Sequence, residues 1–296
     1  MTYQEFKDNI FKEVASRYDS GANVHISTFT KNNGVQLDGL IISKENQPIS
    51  PTLYLNDFYP MLEKGFTFEE VTERFIRSYE HAKDVTGFDP NMLSDFSQIK
   101  DKVIFKLVNK ESNHELLKDV PYISYLDLAI EFAIMLPVQN EWGTILIHQC
   151  MLDEWGVSKE ELFEYAKTNT YQLMQPECIP MESLVSDMLS STDKELFPDM
   201  IPSFPMFVLT NRRKMNGAGV ICYPDLLKNI SQELEMDLYI LPSSIHEVII
   251  IPMLGELNTD YLTDMVRQVN ETQVPPDEIL SDHAYYYLRE KNQVMY

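Results

Sequence analysis

An α+β fold, with mixed, mainly antiparallel sheets flanked by short helices, is what this sequence predicts, and three observations carry the prediction. Capping-box patterns followed by apolar residues three and four apart recur at 2–20, 67–79 and 158–166. Apolar runs of strand length lie at 24–30, 35–43, 49–56, 103–108, 204–209 and 245–251. Short polar turns link several of them, with Asn-Gly at 33–34 and 216–217, and such turns suit hairpins rather than the long crossovers of a parallel sheet. These elements fit two subdomains, 1–120 and 121–296, or one continuous body.

Taken in order, Thr2 and Glu5 can cap a helix over 2–20 that buries Phe6, Ile10 and Val14. A three-strand meander follows over 24–56, turned at 31–34 and again at 45–48. Thr67 and Glu70 form the next capping box, with Phe66 placed to staple Val71 and with Phe75, Ile76 and Tyr79 on the buried face. Residues 83–100, with Gly87 and Pro90, read as a connection that includes a short helix. A strand is expected at 103–108, a helix at 112–118 capped by Ser112 and Glu115, and a hairpin from 127–136 and 144–151. Ser158 and Glu161 open a helix carrying Leu162, Phe163 and Ala166, and prolines then bracket a short helix at 181–190.

The stretch 204–252 holds the densest punctuation: an apolar run, a polar turn, a second run at 218–223, a helix opened by Pro224, and two strands flanking Pro242, Ser243 and Ser244. Beyond it, Asn258 can cap a helix that buries Tyr261, Leu262, Met265, Val266 and Val269, and 285–288 reads as a last strand.

Charge is the outstanding bulk property. Asp and Glu number 46 against 24 Lys and Arg, a net of -22, which repels nucleic acid and anionic membranes at long range and disfavours direct nucleic-acid binding. Such a surface serves solubility or pairs with a basic partner. Three widely spaced cysteines encode neither a disulfide framework nor a zinc site, and fit reduced thiols. The first residues lack the basic start and apolar core of a signal peptide, and no apolar run approaches the roughly 18 residues of a membrane span, so a cytoplasmic protein is expected.

Segments across nearly the whole chain carry a resemblance: NNGVQLDGL from Asn32, SPTLYLNDFY from Ser50, LVNKESNHELL from Leu107, WGVSKEELFEYAKTNT from Trp155, VLTNRRKMNGAGVICY from Val208, YILPSSIHEVIIIP from Tyr239 and VPPDEILSDHAYYY from Val274. In these the sequence resembles an uncharacterised bacterial family, the domain-of-unknown-function family 5688. The resemblance implies no activity and no site residues. The helix-then-sheet pattern after Trp155 is also similar to a second uncharacterised bacterial family, in keeping with α+β.

Ser243, Ser244, His246 and Glu247 form the most enzyme-like cluster, since a serine nucleophile needs a base and the base an orienting carboxylate. Against catalysis, His246 and Glu247 would face opposite sides of a strand, and no GxSxG elbow is present. A turn followed by a strand start is the plainer reading. His114-Glu115 and His246-Glu247 begin like HExxH, but Lys118 and Ile250 stand where the second histidine belongs, so no metal site and no cofactor is expected.

Arg212, Arg213 and Lys214, with Asn211, Asn216 and Gly217, sit in the turn between two expected strands, 204–209 and 218–223, and make either a solvated turn or a grip for a small anion. Asp38, Asp57, Asp127 and Glu131 lie in or beside strand-like runs, where a buried carboxylate needs a partner, and are candidates for a metal or an ion pair. The reading that emerges is an acidic interaction or inhibitor-type protein with a protein partner bearing a basic surface, favoured over an enzyme, with the question of catalysis left open by the sequence. A hydrolase or transferase using Ser243 to Glu247, or an anion sensor at Arg212 and Arg213, are its rivals.

Overall fold

Helix starts are fixed by the capping residues. In the computed structural model, which describes residues 1–18, 21–44, 50–82, 89–138, 141–188, 204–255 and 259–296, α1 (Tyr3–Arg17) opens on Thr2. Glu5 N donates to Thr2 Oγ1 at 3.2 Å and Thr2 N donates to Glu5 Oε2 at 2.7 Å, satisfying two amides that the helix itself cannot. Those bonds from Thr2 draw the Glu5 carboxyl below its ordinary pKa. Thr67 and Glu70 repeat the arrangement before α2 (Phe68–Ala82). The turn expected at 45–48, Gly87 and the Asn258 cap lie outside the described residues.

Two compact units result: Met1–Asn91 with Leu136–Gly143, and Met92–Met135 with Thr144–Tyr296. The break after Asn91 differs from the one expected at 120, because β4 (Val103–Asn109) pairs along its whole length with β6 (Leu128–Val138) and takes 92–120 into the second unit.

In the first unit, β1 (Ala22–Thr30), β2 (Gln36–Lys44) and β3 (Thr52–Tyr54) form an antiparallel meander. The first turn needs left-handed backbone at Asn33 (φ 57) and Gly34 (φ 73), which these two residue types supply cheaply. Phe6, Ile10 and Val14 of α1 meet Val71, Phe75 and Tyr79 of α2 over Leu40 and Ile42 of β2. Each such side chain contributes about 1.5–3 kcal/mol on burial. One carboxylate is tied into this unit. Asp38, 13% exposed, receives Lys7 Nζ at 2.7 Å and Thr28 Oγ1 at 2.8 Å, with Tyr3 Oη at 3.1 Å.

The second unit holds two sheets. β5 (Tyr122–Tyr125) and β4 flank the part of β6 that precedes Leu136, and β6 also pairs with β7 (Glu141–Leu146), the residues Leu136–Gly143 of these two strands being counted with the first unit. Following α3 (Gln149–Trp155), α4 (Lys159–Leu173) is capped by Ser158, whose Oγ accepts from Glu161 N at 3.1 Å. It is then bolted to β4: Thr170 Oγ1 accepts from Phe105 N at 3.0 Å, and Asn169 Nδ2 donates to Val103 O at 3.0 Å. The other sheet has six strands, in the order β13 (Gln293–Met295), β12 (Tyr285–Leu288), β10 (Leu238–Ser244), β11 (Glu247–Pro252), β9 (Phe207–Asn211), β8 (Pro176–Pro180). Around it stand α5 (Met181–Met188), α6 (Leu226–Glu233) and α7 (Thr259–Gln273). The pairings are antiparallel, and the fold is α+β.

Four elements differ from expectation. Residues 112–118 turn and end in a 3-10 helix (Leu116–Lys118), because Glu115 binds Lys118 Nζ at 2.6 Å while Ser112 N donates to Asn109 Oδ1. The strand expected to reach 151 stops at Leu146, and Gln149 begins α3. The run at 218–223 is no strand but a buried 3-10 segment (Gly217–Cys222). And α7 buries Leu262, Val266 and Asn270, leaving Tyr261, Met265 and Val269 exposed.

Burial pushes the Asp38 carboxyl up, but the bonds from Lys7, Thr28 and Tyr3 outweigh it and hold the pKa below the ordinary 3.8. A depressed carboxylate stabilises above its unfolded pKa, and that stability is lost as pH falls through the folded value. Asp38→Asn should therefore cost about 2 kcal/mol at pH 7. The difference from wild type, measured by urea unfolding, should close as pH drops below 3.8.

Candidate functional site

Pro242 has no amide hydrogen to give a ladder, and the β10–β11 pairing slips beside it, between Pro242 and Ser244. The hairpin that results carries Ser243 to Glu247 at its tip. Ser244 is buried and its Oγ accepts from His246 N at 3.0 Å, a local turn bond. Ser243 Oγ lies 3.5 Å from Glu247 Oε1.

The two stretches singled out in the sequence come together here. Asn216, left-handed at φ 50, donates its amide to His246 Nδ1 at 3.1 Å. Thr210 Oγ1 donates to His246 O at 2.7 Å, and Ala218 N to Ile245 O at 3.2 Å. Gly217 is wedged into this junction: a Cβ there would fall 2.1 Å from Thr210 Oγ1 and 2.2 Å from His246 O. Only a residue without a side chain fits. Glu278, which nothing in the local sequence marks, completes the site. Its carbonyl accepts from Ile245 N at 2.8 Å, and its Oε1 stands 3.7 Å from His246 Nε2.

The chemistry open to this arrangement follows from who holds whom. With Nδ1 accepting from a backbone amide, a neutral His246 carries its proton on Nε2, toward Glu278. Its ring is paired with Asn216 and Glu278, while the serine hydroxyls serve the hairpin. In the neighbouring loop Asn211 Oδ1 accepts from Arg213 N and Arg213 Nε donates to Leu173 O at 2.8 Å. The amides of Arg212, Lys214, Asn216, Ala218 and Gly219 are likewise engaged. Arg212 and Lys214 extend into water. Three open grooves, of about 740, 550 and 450 Å³, lie elsewhere on this unit and are lined by none of the residues 211–217 or 243–247. Among the described residues no group of three or more His, Cys, Asp or Glu could hold a metal ion.

A second polar cluster escaped the sequence reading. Asp127, in the β5–β6 turn, accepts from Ser281 Oγ at 2.7 Å and Tyr285 Oη at 2.6 Å, and lies 3.2 Å from His283 Nδ1. Burial first, then the Asp127 charge, pushes the Tyr285 hydroxyl well above its ordinary pKa, so it donates throughout the accessible pH range. Its members lie 154 to 158 residues from Asp127, too far apart for any spacing rule. The His283 ring lines the groove of about 550 Å³ beside Asp264, Arg267 and Tyr296.

Gly217→Ala should cost about 3 kcal/mol or more, because backbone and a bonded hydroxyl must both move. Tyr285→Phe should cost about 1–2 kcal/mol. Urea unfolding reads both, and a neutral Gly217→Ala would contradict the junction described here.

The model of a family described as "Family of unknown function (DUF5688)" matches residues 3–289. No curated protein and no solved structure matches the chain.

Proposed function

Because the chain belongs to that family, whose description names no activity, we propose its function from its own surface: it is a macromolecular interaction or inhibitor-type protein that engages a protein partner with a basic face. One observation carries the reading. Among the described residues Glu131 is the only acidic side chain that is buried, so in a chain of net charge -22 nearly every described carboxylate reaches solvent. A field of one sign speeds encounter with the opposite sign and repels nucleic acid.

The polar clusters support the same view. His246 and the two serines hold a hairpin in place, and the groups around Asp127 tie the last strands to the β5–β6 turn. No helix of the described residues is long and apolar enough to cross a membrane. All three cysteines are unpaired, in keeping with a reducing, cytoplasmic setting.

Affinity capture with the purified full chain tests the proposal. At low salt it should retain a stoichiometric partner of high isoelectric point. Raising ionic strength, where the screening length falls below about 10 Å, should weaken that complex at least about tenfold. Recovery of no partner, or of an acidic one held regardless of salt, would contradict it.

A further inference from the structure

α7 has three sides. Leu262 and Val266 are spent on the sheet, where they meet Tyr239, Leu241 and Ile251. A second flank, Asp260, Asp264 and Arg267, lines the groove beside His283 and Tyr296. The third carries Tyr261, Met265 and Val269, four residues apart and therefore in one row, and these are 60%, 38% and 40% exposed. A row of large apolar side chains left in water on a well-formed helix is the form an interaction surface takes.

The geometry points to this row as the docking site for an amphipathic, cationic helix of the partner protein. The inference rests on the interaction reading above and names the surface where it acts. The apolar row supplies the seam that a helix reads at i, i+4 and i+8. Charge selects the occupant. Asp260, Asp264 and Glu271 outnumber Arg267 on the same helix, and the whole chain stands at -22, so a helix with Leu along one side and Lys or Arg along the others is complementary. A second copy of this chain would bring the same surplus of carboxylates to the contact and be repelled, and so would an anionic membrane. Met265 at the centre of the row and Tyr261 at its end suit a helical partner, Met by adapting its shape and Tyr by offering a broad face with a polar tip.

The test uses the full-length chain and a labelled synthetic peptide of about 18 residues, five helical turns, with Leu on one face and Lys on the others. A scrambled peptide of equal composition is the control, and fluorescence anisotropy at low salt is the readout. The helical peptide should bind at least about tenfold more tightly than the scrambled one. The triple variant Tyr261→Ser, Met265→Ser, Val269→Ser should lose that advantage while its thermal midpoint stays close to wild type, since the replaced side chains are exposed. Equal binding of both peptides by wild type and variant would overturn the docking site and leave the basic-partner reading standing. Binding of neither peptide would overturn both. Self-association in sedimentation that the triple variant abolishes, or flotation with uncharged phosphatidylcholine vesicles, would assign the row to another occupant and overturn the inference.

Discussion

The six-stranded sheet of the second unit depends on β10 being paired on both edges. β11 takes one edge from Leu238 to Ser244, and β12 takes the other from Leu238 to Ile240. A central strand cannot leave its amides and carbonyls unpaired in an apolar setting, so the two neighbours are obligatory. Once they are in place the sheet offers α7 a surface made of Tyr239, Leu241 and Ile251, and a helix can lay only one face on a sheet. Leu262 and Val266 fill that face. The same constraint leaves Tyr261, Met265 and Val269 outside.

The far end of β10 shows how a polar turn is held by its own hydrogen bonds. Pro242 interrupts the ladder, Ser244 closes the turn onto His246 N, and the loop after β9 leans in until Gly217 touches the His246 carbonyl. Three chain segments, around Asn216, Ile245 and Glu278, thereby exchange backbone bonds within a few residues of one another. Buried polar groups satisfied in this way fix one arrangement, since breaking any single bond strands a donor or acceptor. Glu131 marks the other extreme. It is the one acidic side chain buried among the described residues, with Oε1 held by Lys106 at 2.7 Å and Oε2 without a partner.

Local physics made much of the fold legible. Thr2 with Glu5, Thr67 with Glu70 and Ser158 with Glu161 announce helix starts because the bonds involved span three residues. Asn33 and Gly34 announce the first turn because left-handed backbone restricts residue choice. The apolar run at 218–223 misled for a physical reason: its burial comes from filling space between β9, β11 and β4 as a 3-10 segment, and burial alone does not distinguish that from a strand. In α7 the apolar residues span an arc of about 140°, wider than the strip that meets the sheet, so periodicity could not say which part of it is buried. The meeting of the Asn216 loop with His246, and of Asp127 with Ser281, His283 and Tyr285, was illegible because each joins residues distant in sequence. Chemistry-bearing residue types were visible there; their juxtaposition was not.

The central claim is that this acidic chain recognises a cationic helix through the outer row of α7, and residue-resolved mapping addresses it most directly. Methyl and aromatic NMR of the chain labelled at Met and Tyr, titrated with the Leu/Lys peptide, places the contact. Concentration-dependent shifts of the Met265 methyl and the Tyr261 ring, with the signals of Met215 and Tyr223 near the Asn216 loop unmoved, are the result predicted. Shifts centred on Met215 and Tyr223, or spread evenly over the methionines and tyrosines, would contradict it.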